Sequence, residues 1–274
     1  MCESGQTVPM GYDGPPSSEQ HLRRIAWIEQ VDGAIVPLAS DYADAIVVPP
    51  HRHSRSQLLY AVTGIITVIT ETGRWMVPPD HALWVPAGME HSVRPHGRVS
   101  MRSIYVSPDA VTLPAICRVV AVTELMHGLI VEAVKLPRRV PPGSRAALIM
   151  ALVAEELPLL PERPLGLPLP AEPRLAALCQ SFLSNPSPHA TIDHWAERLA
   201  MSRRTFTRVF RRETGLGLAA WRQQACLFAA LPRLAAGEAV TTVALDLGYD
   251  SVAAFTTMFK RALGRPPSRY LRDG

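Results

Sequence analysis

Two stretches decide how this chain is read. The first is Thr191-Ile-Asp-His-Trp-Ala-Glu-Arg-Leu-Ala-Met-Ser-Arg-Arg-Thr-Phe-Thr-Arg-Val-Phe-Arg211, and the second is Thr241-Thr-Val-Ala-Leu-Asp-Leu-Gly-Tyr-Asp-Ser-Val-Ala-Ala-Phe-Thr-Thr-Met-Phe-Lys-Arg261. Each reads as a short helix, a tight turn, a serine and a second helix. Ser202 and Ser251 suit the N-cap position, where a hydroxyl accepts an otherwise orphaned backbone N–H. Each second helix carries Phe at the fourth and eighth positions after its serine, Phe206 and Phe210 in one, Phe255 and Phe259 in the other. Spacing of i,i+4 stacks both rings on one face, which predicts a buried stripe.

Each unit resembles a helix-turn-helix, whose second helix enters the DNA major groove. With Phe206 and Phe210 buried, Arg203, Arg204, Thr207, Arg208 and Arg211 fall on the opposite or flanking faces. Arg pairs bidentately with guanine, and the Thr methyl meets that of thymine. A solvated basic helix would carry the same arginines, but the cap, the paired rings and the repeat argue for a reading head. The second helix is chemically poorer. Its outward positions are Ser251, Val252, Ala253, Thr256 and Thr257, which predicts shape, methyl and phosphate contacts rather than hydrogen-bonded readout. Lys260, Arg261, Arg265 and Arg269 are expected on phosphates.

Charge follows this division. The 274 residues carry a formal net charge of +4 and a pI near 9.1, too little to interpret alone. Residues 171–274 hold 14 of the 28 Lys+Arg and 8 of the 24 Asp+Glu, a net of +6; residues 1–170 hold 14 and 16, a net of −2. With 47% hydrophobic and 19% charged residues, the chain suits a folded protein of about two domains. Cys2, Cys117, Cys179 and Cys226 form no CxxC pair, so neither a zinc ribbon nor a disulfide framework is indicated. That usage, with no secretion signal and no membrane-length apolar run, predicts a cytoplasmic protein without a membrane partner.

Upstream the pattern changes. Residues 1–19 read as a flexible tail. Residues 20–110 hold short β-like runs at 45–48, 57–63, 65–70, 74–77, 82–85 and 101–106, broken by Pro, Gly and charge, as in a sandwich or barrel. Residues 111–157 turn helical, with apolar stripes at Leu125, Leu129 and Val131 and at Leu148 and Leu152, and helices expected at 113–136 and 145–157. Six prolines between 158 and 173 predict a semi-rigid linker to the domain at 174–274.

The β-region holds His51-Arg-His53-Ser-Arg-Ser-Gln57, then Gly64, and later Pro86-Ala-Gly88-Met-Glu-His91. His51 and His53 share one strand face at i,i+2, and His91 follows a Pro-x-Gly turn that can return it to them. Three readings stand. One is a divalent metal site of three imidazoles and a neutral Gln57 oxygen. The second is a metal-free effector pocket in which His51, His53, Gln57, Trp84 and His91 orient a small ligand. The third is a set of structural histidines. Trp75, Tyr60 and Met89 are further candidates to line the barrel, or are simply core, and His81 and His96 are expected near solvent.

The residues Gly248-Tyr-Asp-Ser251, Phe255, Phe259-Lys-Arg-Ala-Leu-Gly264, Pro267, Ser268 and Tyr270, with Arg211-Arg-Glu-Thr-Gly215 and Ala235-Ala-Gly237, resemble the AraC/XylS family of transcriptional regulators over about residues 171–272. The resemblance implies a seven-helix domain with two helix-turn-helix units on successive major-groove segments of double-stranded DNA, bridged by a linker helix near 219–236. Cys226 stands where the family has a basic residue, which implies one lost contact, and Pro232 should kink or shorten that helix. The N-terminal histidines resemble the two cupin motifs, in which three His and one Glu hold Fe, Mn, Ni or Zn; here Gln57 stands for the Glu. The fold class expected is therefore a two-domain α+β protein, a cupin-like barrel with following helices and an all-α domain with two helix-turn-helix units. The family likeness implies effector sensing by the barrel, a homodimer through the helices after it, with Leu125, Leu129 and Val131 as candidates, and RNA polymerase as a further partner to consider. The alternative is a cupin metalloenzyme fused to a DNA-binding domain; Gln57 and the lack of an evident acid–base partner count against it.

Overall fold

The computed structural model describes residues 18–43, 46–137 and 140–270. Residues 1–17 of the expected tail lie outside these. At Ser18 the first helix begins, α1 (Ser18–Ile28), and the spacing of His21, Ile25 and Ile28 puts all three on one buried face.

A sheet follows, built from β1 (Ile35–Tyr42), β2 (Val48–His51), β3 (Ser56–Thr70), β4 (Gly73–Val77), β5 (His81–Val85), β6 (His91–Val106) and β7 (Arg118–Ala121). Its neighbour order runs β1-β6-β3-β5-β7, with β2 on β6 and β4 on β3. The two runs expected at 57–63 and 65–70 are one strand. Its register slips against β6 between Ala61 and Ile65, and Gly64 sits there at φ +77°. A Cβ at Gly64 would lie 2.5 Å from the Arg98 carbonyl oxygen, so only glycine fits. This irregularity has a functional consequence. Gln57 pairs with Tyr105 at one end of the β3–β6 ladder, and Thr70 pairs with His91 at the other. Both Gln57 and His91 nevertheless come to His53, so the long β3–β6 pair is bent end towards end. The run at 101–106 is only the last third of β6; its first part alternates polar Ser92, Arg94, His96 and Arg98 with apolar residues and shows no apolar run.

One face of the bent sheet holds Leu59, Ala61, Ile66, Val68, Leu83, Val85, Val93 and Met101. The other packs Leu58, Tyr60, Trp84 and Ile104 against α2 (Glu124–Ala133) and α3 (Arg145–Glu156) through Met126, Ile130, Ile149 and Val153. Sheets covered on both faces lose the simple alternation. Both helices have hydroxyl caps, Thr123 accepting from Met126 N–H and Ser144 from Ala147 N–H. Thr123 starts α2 later than expected, and residues 118–121 pair with β5 instead.

The Pro-rich segment forms no helix beyond a single 3-10 turn at Leu157–Leu159, but it is not a free spacer. Within it β8 (Glu162–Arg163) pairs with β7 and β9 (Gly166–Pro168) pairs with β4, and Leu165 and Leu167 are buried.

Seven helices follow among the described residues: α4 (Pro173–Ser184), α5 (Ile192–Arg198), α6 (Arg203–Thr214), α7 (Leu218–Ala235), α8 (Val240–Asp246), α9 (Val252–Leu263) and α10 (Pro267–Tyr270). Helix α7 is the expected bridge. It runs on through Pro232 for three more residues, so the proline does not shorten it. No helix is long and apolar enough to cross a membrane among the described residues.

Candidate functional site

The C-terminal units form as their residues demand. Ser202 Oγ accepts from Thr205 N–H at 3.2 Å and Ser251 Oγ from Ala254 N–H at 3.1 Å. Both second helices end at a left-handed glycine, Gly215 and Gly264. Phe206 and Phe210 are buried with Trp195 and Trp221, and Phe255 and Phe259 are fully buried with Met258 and Leu263. The first turn reverses through Ala200 at φ +53°, the second through Gly248 at φ +78°.

Arg203, Arg204, Thr207, Arg208 and Arg211 are all exposed on α6. Arg203 pairs with Asp193 at 3.3 Å and Thr207 Oγ1 donates to the Arg203 carbonyl. Arg204, Arg208 and Arg211 make no ion pair among the described residues, so three guanidinium groups stand free on one helix. On α9, Ala253, Thr257 and Lys260 are exposed and Thr256 is half-buried; the Ser251 hydroxyl is already used by its cap. Arg265 is held otherwise than expected. It pairs with Asp80, in the turn before β5, at 2.8 Å. The side chain of Arg269 lies outside the described residues. Cys226 is fully buried in α7 and hydrogen-bonded with Tyr249. It faces the core and presents no polar group at the surface.

In the barrel, the structure brings His51, His53, Gln57 and His91 together. His51 and His91 sit directly opposite on β2 and β6; their rings are 4.3 Å apart, and the His53 and His91 rings 5.2 Å. Each histidine is fixed in the same way. Nδ1 of His51 donates to the Pro49 carbonyl at 2.9 Å, that of His53 to the Arg55 carbonyl at 2.5 Å, and that of His91 to the Met89 carbonyl at 2.9 Å. A carbonyl only accepts, so in neutral His51 and His91 the proton sits on Nδ1; His53 meets an acceptor at each nitrogen, the Arg55 carbonyl at 2.5 Å and Gln57 Oε1 at 3.2 Å, and the shorter contact holds its proton on Nδ1, which leaves an Nε2 lone pair on all three rings. The three residues offer ligand nitrogens within 4.8 Å of one another. His91 Nε2 is buried with no hydrogen-bond partner. Gln57 turns its amide nitrogen to Ser103 Oγ at 2.8 Å and Tyr105 Oη at 3.2 Å, which aims Oε1 at His53 Nε2, 3.2 Å away. Two lone pairs facing at that distance repel unless a cation lies against both.

Burial lowers the pKa of all three histidines, that of His91 to about 3, and neighbouring imidazoles add to the effect at His51 and His91. They are neutral at pH 7, the form that ligates a metal.

The sequence reading missed His21. It is 2% exposed, its ring lies 5.5 Å from that of His51, and its Nδ1 is 2.5 Å from Tyr42 Oη. Only the i,i+4,i+7 stripe with Ile25 and Ile28 could have found it. Trp84 was expected in the site and is not there. It pairs with Leu58, one residue from Gln57, and so lies on the opposite sheet face, where Nε1 donates to the Pro114 carbonyl. Tyr60 shares that outer face and bonds His127 at 2.8 Å, whereas Trp75 belongs to the inner core and Met89 packs against it. His81 is buried rather than solvated, its Nδ1 donating to the Pro79 carbonyl, and His96 is half-buried and bonded to Thr67.

Comparison with known proteins agrees with both halves. A family described as "Helix-turn-helix domain" matches residues 195–273, and one described as "AraC-like ligand binding domain" matches residues 32–115. The chain is 36% identical over 230 residues to the HTH-type transcriptional regulator NimR of Escherichia coli K12, covering 83% of this chain and 84% of that one. It is 33% identical over 105 residues to the HTH-type transcriptional regulator RipA of Corynebacterium glutamicum, 38% of this chain and 31% of that one. Among solved structures, ToxT of Vibrio cholerae aligns at a TM-score of 0.38 and 10% identity, over 89% of this chain and 98% of that one. These families are regulators, not enzymes, so the fused metalloenzyme alternative falls away. The chain belongs to the AraC family of DNA-binding transcriptional regulators, with a ligand-binding domain N-terminal to its two helix-turn-helix units.

Proposed function

We propose that this regulator acts in the cytoplasm as a homodimer whose barrel senses a divalent transition-metal ion, held by the Nε2 atoms of His51, His53 and His91 with the Gln57 amide oxygen beside them. The observation that carries this is the common tautomer of the three rings: three lone pairs converge, and one of them, on His91, is buried and unpaired. A buried polar atom without a partner costs roughly 1–3 kcal/mol, and a metal bound there removes that cost. The carbonyls of Pro49, Arg55 and Met89 orient the ligands and raise their basicity. Three imidazoles suit Zn, Ni, Cu or Fe rather than Mg or Ca.

On DNA, Arg204, Arg208 and Arg211 of α6 read base edges, α9 contributes Ala253, Thr256 and Thr257 to methyl and shape contacts, and Lys260 neutralises phosphate. Leu125, Leu148 and Leu152 stand exposed on α2 and α3 and supply the dimer face. Leu129, expected there, is buried against the barrel instead.

The test is metal loading of the purified full chain, followed by fluorescence anisotropy on its own promoter region. We expect one equivalent of metal per chain, lost in His53→Ala, and a metal-dependent change in affinity for promoter DNA relative to scrambled DNA. A chain that takes up no metal overturns the metal reading, and equal affinity for both DNAs at all salt concentrations overturns sequence-specific binding.

A further inference from the structure

His21 differs from the other three histidines in the direction of its hydrogen bonds. Arg24 Nη1 donates to Ser40 Oγ at 3.1 Å. Arginine only donates, so the Ser40 hydroxyl turns its own proton to its other partner, Tyr42 Oη. The Tyr42 proton then has one place to go, His21 Nδ1. A neutral imidazole that accepts on Nδ1 carries its hydrogen on Nε2. His51, His53 and His91 thus present lone pairs, while His21, its ring 5.5 Å from that of His51, presents an N–H. A protonated nitrogen does not ligate a metal; it donates to an acceptor.

Charge points the same way. Three neutral imidazoles and a neutral amide leave a bound divalent ion uncompensated. His21, His53, Gln57 and His91 are each at most 3% exposed, so bulk water does little to screen that charge, and burying it alone is costly. The carboxylate beside His53, Glu29, is exposed and spends Oε1 on the Ser54 backbone N–H at 2.7 Å. Asp41 is taken up by Arg102 and Ser100.

Resting on the metal reading above, we propose that the site takes metal and a small oxyanion together: a carboxylate-type effector supplies the negative charge that Gln57 does not, and His21 donates its Nε2–H to it. Metal and anion then bind cooperatively, and the effector class is a small organic acid rather than a neutral sugar or an apolar molecule. His21 is a specificity-determining residue for the anion and contributes little to metal affinity.

The experiment uses the full chain loaded with Co(II), whose visible d–d bands report changes in coordination, titrated with acetate and oxalate and, as the neutral control, acetamide. Retained cobalt is measured after desalting. We expect saturable shifts with the anions and none with acetamide. In His21→Phe, anion affinity falls at least tenfold, as for a lost charge-assisted hydrogen bond, while Co(II) affinity stays within about twofold. Gln57→Glu keeps the side-chain shape and supplies the missing charge, so it raises Co(II) affinity and lowers acetate affinity by tenfold or more; it tests the proposal even where His21→Phe does not fold. Equal response to acetamide, no response to either anion, or unchanged anion affinity in both variants overturns the proposal and leaves the metal site standing. Failure to bind Co(II), or Co(II) retained in a His51→Ala/His91→Ala double variant, overturns the metal reading itself and the proposal with it.

Discussion

Mild acid should unfold the sensor barrel, and the structure gives the size of the effect. Burial holds His21 and His91 neutral, with pKa lowered to about 3 in each, and the neighbouring rings of His51 and His53 push further in the same direction. In the unfolded chain both titrate near 6.5. Above pH 6.5 neither state is charged and the two groups contribute no pH dependence. Between pH 6.5 and about 3 the unfolded state binds protons that the folded state refuses, so stability falls as pH falls. At pH 5 each histidine is 1.5 units below its unfolded value, which costs about 2 kcal/mol apiece, about 4 kcal/mol for the pair. His51, His53 and His81 are shifted in the same direction and add to this. Domains are typically stable by only about 5–15 kcal/mol, so the loss is decisive. The assay is urea unfolding of the metal-free full chain at pH 7.5 and pH 5, followed by the fluorescence of Trp75 and Trp84 in the barrel. Most carboxylates remain ionised across that window, which isolates the histidines. His91→Gln should recover about 2 kcal/mol of the difference between the two pH values, whatever it does to stability at pH 7.5. An unfolding midpoint that does not move between pH 7.5 and 5, or a His91→Gln variant with the full pH dependence, would refute the claim that these rings are buried neutral.

Four more outcomes follow from other parts of the structure. Phe210→Ala removes a ring packed between Trp195, Phe206 and Trp221 and should cost about 3–5 kcal/mol by calorimetry, with loss of DNA binding. Arg208→Ala should narrow the ratio of promoter to scrambled-DNA affinity by about 1–3 kcal/mol, whereas Asp80→Asn, by freeing Arg265, should raise affinity for both DNAs alike by up to about fivefold and steepen the salt dependence, as anisotropy at several salt concentrations will read. If the proposed homodimer uses the α2–α3 face, Leu148→Lys with Leu152→Lys should lower the sedimentation coefficient to that of a monomer without changing the far-ultraviolet spectrum; an unchanged sedimentation coefficient removes that face as the dimer contact.

What the sequence disclosed depended on how local each signal was. The Ser202 and Ser251 caps and the Phe pairs are spaced within one helix, and both were read correctly. His51, His53, Gln57 and His91 were legible because two short motifs carry them, although the bend that joins their ends rests on Gly64 and a register slip that no periodicity displays. His21 was invisible as a site residue because its partner, Tyr42, is 21 positions away on another element. Trp84 was misplaced for a simpler reason. Strand period fixes which residues share a face but not which face is inside, and here both faces are covered. The Pro-rich stretch was read correctly as non-helical, but pairing with β4 and β7 is long-range and left no local mark.

The division of the core bears on how sensor and reader communicate. The first helix-turn-helix has its own apolar cluster, around Trp195, Phe206, Phe210 and Trp221, tied to the barrel by Leu167 and by Trp221 Nε1, which donates to the Pro168 carbonyl at 2.8 Å. The second does not. Phe255, Met258 and Phe259 of α9 and Leu227, Leu231 and Leu234 of α7 share one continuous cluster with Val48 of β2 and Val93 of β6. Val48 lies three residues before His51, and Val93 two after His91. Under the proposed reading, a ligand bridging those histidines should act on the packing beneath the second unit, where β2 and β6 meet α7 and α9. A ligand shifts such an equilibrium only through a difference in affinity between two arrangements. Under the expected phosphate-binding role of Arg265, its pair with Asp80 withholds one cation from DNA, so DNA binding should favour an arrangement in which that pair is open.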